Sequence, residues 1–242
     1  MCGRYSNDRS VDDLAVAYQA AGGRGDDFMA GWKAMFSIPP TTAAPIVRER
    51  VDRDGVVSRE LALAEWGLRP PWMSDPAKKG FHNARLEAVA DKPSFRAAFA
   101  SRRVVVPMNG YYEWVDTGAG KQPYFIRAAD SALLSAAGVC AVRKDEQTGR
   151  WQVTYTVITC TARDAGGEVH ERMPVFLSDD AWPDWIAPGT IAGAQREGTL
   201  AMLDAVSQQM AGTLEAYPVS KRVNDVRTAL PDDATLLDRV AV

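Results

Sequence analysis

Alternating apolar and polar positions predict that β-strands occupy the middle of the chain. Residues Val153–Thr159 alternate threonine with β-branched and aromatic side chains, a pattern typical of a strand. Short apolar runs at Val104–Val106 and Val175–Leu177 predict two more strands. Pro107 should end the first of these runs, because proline cannot donate a hydrogen bond to a strand ladder.

A β-hairpin is predicted from two aromatic-rich segments, Tyr112–Trp114 and Tyr124–Ile126. The residues between them, Asp116–Gln122, have the glycine-rich and polar composition of a turn. We therefore expect the two segments to pair with each other.

Helical patterns lie mainly towards the two ends of the chain. Ser10–Asp13 resembles a capping box and predicts a helix to about Ala20, followed by a loop rich in glycine and aspartate to Asp27. Leucine and methionine at helical spacing predict a late helix over about 197–211.

Two further helices are expected, one after Lys92 and one capped by Ser178–Asp180 that carries Trp182 and Trp185. The predicted strands follow one another instead of alternating with helices. This order predicts the α+β class with a largely antiparallel sheet.

Composition narrows the kind of protein. Of 242 residues, 46% are hydrophobic and 24% are charged, as in an ordinary folded chain, and the absence of repeats or long linkers predicts one domain spanning 1–242. No apolar stretch is long enough to span a membrane, and the N-terminus lacks the apolar core of a secretory signal. Cys2, Cys140 and Cys160 are too few and scattered for a disulfide framework, which favours a reducing cytoplasm. The formal net charge of −3 disfavours purely electrostatic binding of nucleic acid, but it allows a local basic groove.

Several common motifs are absent from the sequence. It has no glycine-rich phosphate loop, no GxSxG elbow and no HExxH motif. With two histidines and no CxxC spacing, we expect no metal and no other cofactor.

Cys2 offers distinctive chemistry if Met1 is removed, as is usual before a small residue. The α-amine and the thiol have ordinary pKa values of about 8 and 8.5, so both are partly nucleophilic near neutral pH. The amine can condense with an aldehyde to a Schiff base, and the thiolate can then close a five-membered thiazolidine ring. Alternatively, the thiol attacks an acyl group with the amine as its base, or Cys2 is an incidental residue of a frayed terminus.

Other polar residues stand in settings that suit catalysis or DNA binding. Glu113 lies among aromatics, where burial would raise its pKa for proton transfer, unless it is an exposed strand position. His170 is the natural acid–base group near pH 7, although a lone histidine is more often structural. Asn83 and Arg85 would share one face of an extended segment, or lie in a surface turn. Trp66–Trp72 is a platform for stacking bases or a packed loop.

A set of short motifs runs in order across nearly the whole chain: Met1–Tyr5, Trp66–Trp72, Asn83–Glu87, Gly110–Trp114, His170–Pro174 and Pro218–Asn224. Each motif is weak by itself, but the ordered set is specific. It resembles the SOS-response-associated peptidase (SRAP) family. The resemblance implies a single α+β domain with a mixed, mostly antiparallel, barrel-like sheet flanked by helices.

The resemblance also implies a function, the shielding of abasic sites in single-stranded DNA by a covalent link during the DNA damage response. Cys2, freed of Met1, would form a thiazolidine with the ring-opened sugar. Asn83 would hold Cys2 and the sugar, Glu113 would move protons, and His170 would assist ring opening. We expect a monomer in the cytoplasm, on the nucleoid when it is bound to DNA.

The DNA contacts that the resemblance implies are arginines on phosphates and tryptophans near the flanking bases: Arg4, Arg85, Arg172, Trp66 and Trp114. Arg69, Arg102 and Arg103 add to this local supply of positive charge. Two positions depart from the family pattern. Ser37 and Thr228 stand where asparagine is usual, which could alter a loop or a nucleotide contact.

Three classes of function remain open at this point. The first is an enzyme-like crosslinker that captures abasic DNA close to stoichiometrically. The second is an N-terminal-nucleophile cysteine peptidase whose main substrate is its own N-terminus. The third is a binding module without catalysis in which Cys2 is structural, and the acidic charge balance disfavours it because such a module relies on phosphate attraction.

Overall fold

The computed structural model describes residues 2–22, 29, 31–73, 75, 78–118, 120–144 and 149–241. Within these residues the strands are β1 Tyr5–Asn7, β2 Ala21–Gly22, β3 Met35–Ile38, β4 Ala43–Val51, β5 Val57–Trp66, β6 Asn83–Arg85, β7 Arg103–Met108, β8 Gly110–Asp116, β9 Lys121–Ala128, β10 Leu134–Lys144, β11 Trp151–Thr161, β12 Arg172–Pro174, β13 Phe176–Leu177 and β14 Leu214–Pro218. The α-helices are α1 Val11–Tyr18, α2 Leu86–Val89, α3 Arg96–Ser101, α4 Asp164–Val169, α5 Trp182–Ile186 and α6 Ala194–Ala211.

Five strands close into a barrel in the order β11, β10, β7, β4 and β5. Four of the pairings are antiparallel, and the ring closes through a parallel pairing that sets Thr154 and Tyr155 of β11 beside Glu65 and Trp66 of β5. This closure leaves the strands of the ring without a free edge. The mixed, mostly antiparallel, barrel-like sheet of an α+β protein is thereby confirmed.

The far end of β11 continues beyond the barrel and organises the site. On one side it pairs in parallel with β6, so that Asn83 lies beside Val157. On its other side it pairs antiparallel with β12, so that Arg172 lies beside Thr161. The segments that carry Asn83 and His170 therefore flank the same strand end.

A second sheet, in the order β14, β9, β8, β1 and β3, brings the start of the chain to the same place. Tyr5 of β1 pairs with Tyr111 of β8, and the Tyr112 amide donates to the Arg4 carbonyl at 2.9 Å. Extending this antiparallel register towards the N-terminus places Gly3 opposite Glu113, and Cys2 is close enough for the charge of Glu113 to act on its thiol.

Both faces of the second sheet are covered. Tyr111 points into a large core that it shares with barrel residues such as Ile46 and Trp66. Its neighbour Tyr112 points to the opposite face, where a smaller cluster includes Tyr217, Val219, Val223 and Leu236 of the C-terminal segment. Alternation along β8 therefore anchors the strand from both sides.

Several predicted elements are confirmed. Ser10 Oγ accepts from the Asp13 amide and the Asp13 carboxylate accepts from the Ser10 amide, which completes the capping box of α1. The hairpin joins β8 and β9, with Glu113 opposite Tyr124. The alternating pattern at 153–159 forms part of β11, and α6 covers the late helical pattern.

Three predictions about element boundaries were wrong. Pro107 does not end its strand, because β7 runs to Met108. Within β7, Pro107 lies opposite Ser135 of β10. The β4 ladder among the described residues reaches β7 at Val105, so it requires no N–H from residue 107. Proline is tolerated where the ladder requires no donor.

The predicted side-chain cap of α5 is also wrong. The cap residue is Ala181, without a side-chain hydrogen bond, and the Ser178 carbonyl accepts from the amides of Ala181 and Trp182 instead. The loop predicted from Ala20 is interrupted at once, because Ala21–Gly22 forms β2 beside β5, and residues 23–28 lie outside the described residues. No helix among the described residues is long and apolar enough to cross a membrane.

Candidate active site

Cys2 lies in a closed pocket ahead of β1. Its side chain is 0% exposed, and its carbonyl oxygen accepts a hydrogen bond of 2.7 Å from Asn83 Nδ2. The alternative that Cys2 belongs to a frayed terminus is therefore wrong. Met1, whose removal is predicted, lies outside the described residues. Cys140 and Cys160 are buried too, in line with their apolar sequence settings.

The environment keeps the Cys2 thiol protonated. Burial raises its pKa well above the ordinary range, and the neighbouring negative charge of Glu113 raises it further. The thiol therefore needs a base before it becomes a nucleophile.

Glu113 supplies a proton-transfer group next to this thiol. Its side chain is 3% exposed, and burial raises the pKa of the carboxyl, while the charge of His170 works in the opposite direction. The prediction that Glu113 is desolvated is confirmed. A carboxyl in such a setting can hold a proton closer to neutral pH than an exposed glutamate can.

His170 follows α4 and is half-buried at the start of the turn into β12. The Arg172 amide donates to His170 Nδ1 at 2.9 Å. Because Nδ1 acts as the acceptor, the proton of the neutral ring is assigned to Nε2. The ring is thereby held in one tautomer, which is what a directional acid–base group requires.

Asn83 presents two ends with different tasks. Its amide nitrogen is fixed on the Cys2 carbonyl, whereas Oδ1 is buried and has no hydrogen-bond partner among the described residues. A buried acceptor of this kind is costly unless a ligand supplies a donor. Because Asn83 and Arg85 form β6, the alternative of a surface turn is wrong.

Three tyrosines complete the pocket, and sequence reasoning missed them. The hydroxyl groups of Tyr5 and Tyr155 are 2.6 Å apart. The Tyr111 hydroxyl is buried and unpartnered among the described residues. Burial raises the pKa of all three phenols, and a thiolate at Cys2 would raise it further. The sequence offered no signal that joins them, because Tyr5 and Tyr111 meet through the β1–β8 pairing and Tyr155 reaches them from the barrel strand β11.

Two of the five predicted DNA contacts are accessible. Arg85 is exposed on β6, two positions along from Asn83. Trp114 is half-buried, and its Nε1 donates to the exposed Asn224 Oδ1 at 2.7 Å. Both side chains can be reached from solvent.

The other three predicted contact residues are buried and contact other residues of the protein. Arg4 donates from Nη1 to Ser37 Oγ at 2.8 Å and to the Val223 carbonyl at 3.1 Å, which gives the departure at Ser37 a structural explanation. Arg172 makes two hydrogen bonds to Glu87, at 2.6 and 3.0 Å. In the described structure these buried arginines offer little surface to a phosphate.

Trp66 is likewise enclosed. Its ring meets Tyr5 edge-on at 5.2 Å and lies parallel to Tyr155 at 6.5 Å, and its Nε1 donates to the His82 carbonyl at 2.7 Å. Trp66 therefore packs against the tyrosines around Cys2 instead of presenting a face to a base. Thr228, the second departure, lies in an exposed turn in which its amide donates to the Asp225 carbonyl at 3.1 Å.

Among the described residues, no cluster of three or more histidine, cysteine or acidic side chains could hold a metal ion. The site is thus built from a thiol, a carboxyl, an imidazole and an amide, gathered around one strand end.

The family model described as SOS response associated peptidase (SRAP) matches residues 1–226. The chain belongs to the SRAP family. A relative, the abasic site processing protein YoaM of Bacillus subtilis (strain 168), is 30% identical over 98% of this chain and 98% of its own length. The abasic site processing protein HMCES of Gallus gallus is 29% identical over 96% of this chain and 76% of its own.

A solved structure agrees with this membership at the level of the fold. The crystal structure of a protein from Bacteroides thetaiotaomicron superposes with a TM-score of 0.77, over 99% of this chain and 100% of that one. Its sequence identity is 22%, so the likeness supports the shared fold alone.

Proposed function

We propose that this SRAP protein captures abasic sites in single-stranded DNA through a covalent link to Cys2. The observation that carries the proposal is the buried Cys2, hydrogen-bonded to Asn83 and electrostatically coupled to Glu113. Relatives that match almost the whole chain are named abasic site processing proteins, which supports the same assignment.

The proposed chemistry needs no cofactor. Removal of Met1 frees the α-amine of Cys2, which attacks the aldehyde of the ring-opened deoxyribose. Loss of one water gives a Schiff base. The Cys2 sulfur then adds to the imine carbon and its proton moves to the nitrogen, which closes the thiazolidine ring.

The remaining residues divide the proton transfers. Glu113 takes a proton from the attacking amine and returns one to the departing hydroxyl. His170, with its proton on Nε2, assists opening of the sugar ring. Asn83 holds the Cys2 backbone through Nδ2 and offers Oδ1 to a sugar hydroxyl.

Binding before capture relies on accessible groups. Arg85 is suited to a phosphate and Trp114 to a neighbouring base. Because Cys2 is buried, the sugar must enter as the pocket opens, and half-buried Asn83 and His170 mark the accessible side. Arg4, Trp66 and Arg172 then act by holding this pocket together, and their contact with DNA stays a prediction.

The test uses a single-stranded oligonucleotide with one abasic site, resolved on a denaturing gel. We expect a stable shifted band for the mature protein and for Cys140→Ser, a control that changes another buried cysteine. Cys2→Ser keeps the amine but cannot close the ring through sulfur, so its adduct should appear only after borohydride reduction. A stable adduct from protein with one residue added before Cys2 would contradict the free-amine mechanism.

The same experiment separates capture from peptidase activity. Cleavage of a peptide, abolished by Cys2→Ala, without any adduct on abasic DNA would favour a cysteine hydrolase. Cleavage restricted to Met1, followed by adduct formation, would assign the hydrolytic step to maturation.

A further inference from the structure

A cavity of about 500 Å³ opens at the end of the barrel that lies away from Cys2. Its walls include Arg50 near the end of β4, Arg102 just before β7, and Trp151 at the start of β11. The Asn83 segment pairs with β11 at Val157, about 20 Å along the strand from Trp151. The cavity is therefore separate from the site around Cys2.

The lining carries a surplus of positive charge in a chain whose net charge is −3. Four arginines line the cavity: Arg48, Arg50, Arg102 and Arg103. The lining contains one acidic residue, Glu49. Glu49 is already paired, at 2.8 Å, with Arg59, which lies outside the lining. Glu60, also outside the lining, is shared by Arg48 and Arg50, so the guanidinium groups of the lining still outnumber the carboxylates near them and would attract an anion.

Two of the arginines form a rigid frame. Arg103 donates to backbone carbonyls that include Ala100 at 2.7 Å and Trp185 at 2.7 Å, and so it caps the ends of α3 and α5. Arg48 contacts the Glu60 carboxylate at 2.7 Å through both Nε and Nη2. These contacts hold the wall of the cavity in place.

The other two arginines have donors to spare. The Arg50 side chain is 48% exposed and lies 3.6 Å from Glu60, a carboxylate that Arg48 already occupies at shorter distance. Arg102 is exposed and has no carboxylate partner among the described residues. Guanidinium groups with unused donors beside a pocket are suited to a phosphate, which accepts two hydrogen bonds from one arginine.

An aromatic platform stands on the rim. Trp151 is 67% exposed, and with Val142 and Val153, which pair across the β10–β11 hairpin, it gives the cavity an apolar side. Cys140 is buried at the lining, and burial raises the pKa of its thiol, so this group does not repel an anion. A flat ring and a phosphate could thus be bound together.

We propose that this cavity is a binding site for a nucleoside phosphate, with the base stacked on Trp151 and the phosphate held by Arg50 and Arg102. The ligand is a free nucleotide or one unit of a DNA strand, since the two share this chemistry. The volume of the cavity lies within the usual range of small-molecule sites. The inference does not require capture at Cys2, although a strand bound there would extend the DNA contacts of that reaction.

The test is isothermal titration of the Cys2→Ser protein with deoxyadenosine monophosphate at low salt, which excludes covalent capture. Trp151→Ala and Arg102→Ala should each weaken binding about tenfold, the effect expected for one stacking or phosphate contact. Arg102→Lys should recover part of the loss. The controls are Val16→Ala, which trims a side chain of α1 that is 79% exposed outside the cavity, and Arg196→Ala, and neither should change the affinity.

Ligand variants and one further substitution decide the remaining alternatives. Deoxyadenosine and inorganic phosphate should each bind more weakly than the nucleotide, and an undamaged oligonucleotide that binds more tightly than the nucleotide would identify a strand as the natural ligand. Undetectable binding, equal affinities of the Trp151→Ala and Val16→Ala proteins, or sensitivity to Arg85→Ala alone would overturn the proposal. Capture of abasic DNA by the mature protein is measured separately, so failure here leaves the proposed function intact.

Discussion

The register of β1 on β8 brings Glu113 close to Cys2, and both side chains are almost fully buried. The sequence marked Cys2, Asn83, Glu113 and His170 as separate candidates, and only the family resemblance joined them into one set. The sequence could not tell which predicted residues are accessible. Arg4 is a residue type that commonly binds phosphate, yet in this fold its guanidinium donates hydrogen bonds to Ser37 and Val223.

Glu113→Gln should change stability in a pH-dependent way. Burial raises the pKa of this carboxyl, so its protonated form stabilises the fold below the ordinary pKa of glutamate, and this stabilisation is lost as pH rises through the raised value. The neutral glutamine should therefore make the protein more stable than wild type near pH 8, with the difference shrinking towards pH 4.

Denaturant unfolding of the Glu113→Gln protein across this pH range measures the effect, and exposed Glu171→Gln serves as the control. A difference that grows as the pH falls would contradict the assigned direction. The same variant should slow capture about a hundredfold, the typical contribution of an acid–base group.

Asn83→Ala removes the hydrogen bond that holds the Cys2 carbonyl. We expect a loss of about 1 kcal/mol in unfolding free energy and slower adduct formation, since Cys2 is no longer oriented. Asn109→Ala removes two 2.7 Å hydrogen bonds with Asp8 elsewhere, so it should cost at least as much stability without slowing capture. Equal capture rates for the two variants would exclude a positioning role for Asn83.

Among the secondary-structure elements, α4 contacts β8 through the Tyr111 side chain. A Cβ on Gly166 would lie 2.9 Å from the Tyr111 hydroxyl, so a larger residue at this position would have to displace the tyrosine. The sequence predicted the strands and long helices well because their periodicities are local. The predictions failed at two places. The pairing with neighbouring strands decides whether β7 continues through Pro107, and the Ser178 carbonyl replaces the predicted side-chain cap of α5.

Gly166→Ala should therefore destabilise the fold by about 1–3 kcal/mol through overpacking. The double variant with Tyr111→Phe should recover most of the loss, because it removes the atom that clashes. Gly198→Ala in α6 meets nothing within 4 Å and should instead stabilise by up to about 1 kcal/mol. Denaturant unfolding tests all three, and additive effects of Gly166→Ala and Tyr111→Phe would exclude this contact.

For the molecule as a whole, barrel closure through β5 and β11 supports the strand end at which the site is assembled. The long-range pairing behind this closure cannot be deduced from local patterns, and the barrel was expected from the family resemblance alone. The acidic chain must bind DNA through local positive groups, so the first encounter and the finished link should respond differently to salt.

Arg85→Ala should weaken initial binding of single-stranded DNA and reduce the slope of log K against log salt by about 1. The finished adduct should be equally stable at all salt concentrations because it is covalent. Anisotropy titrations of the Cys2→Ser protein measure the slope, with Arg196→Ala as the control. An unchanged slope would remove Arg85 from the phosphate contacts.

Covalent capture through Cys2 is tested most directly by intact mass, measured before and after incubation with a single-stranded oligonucleotide that contains one abasic site. The proposed mechanism predicts a protein that lacks Met1 and gains the mass of the oligonucleotide minus one water. A protein that lacks Met1 but gains no mass would contradict it.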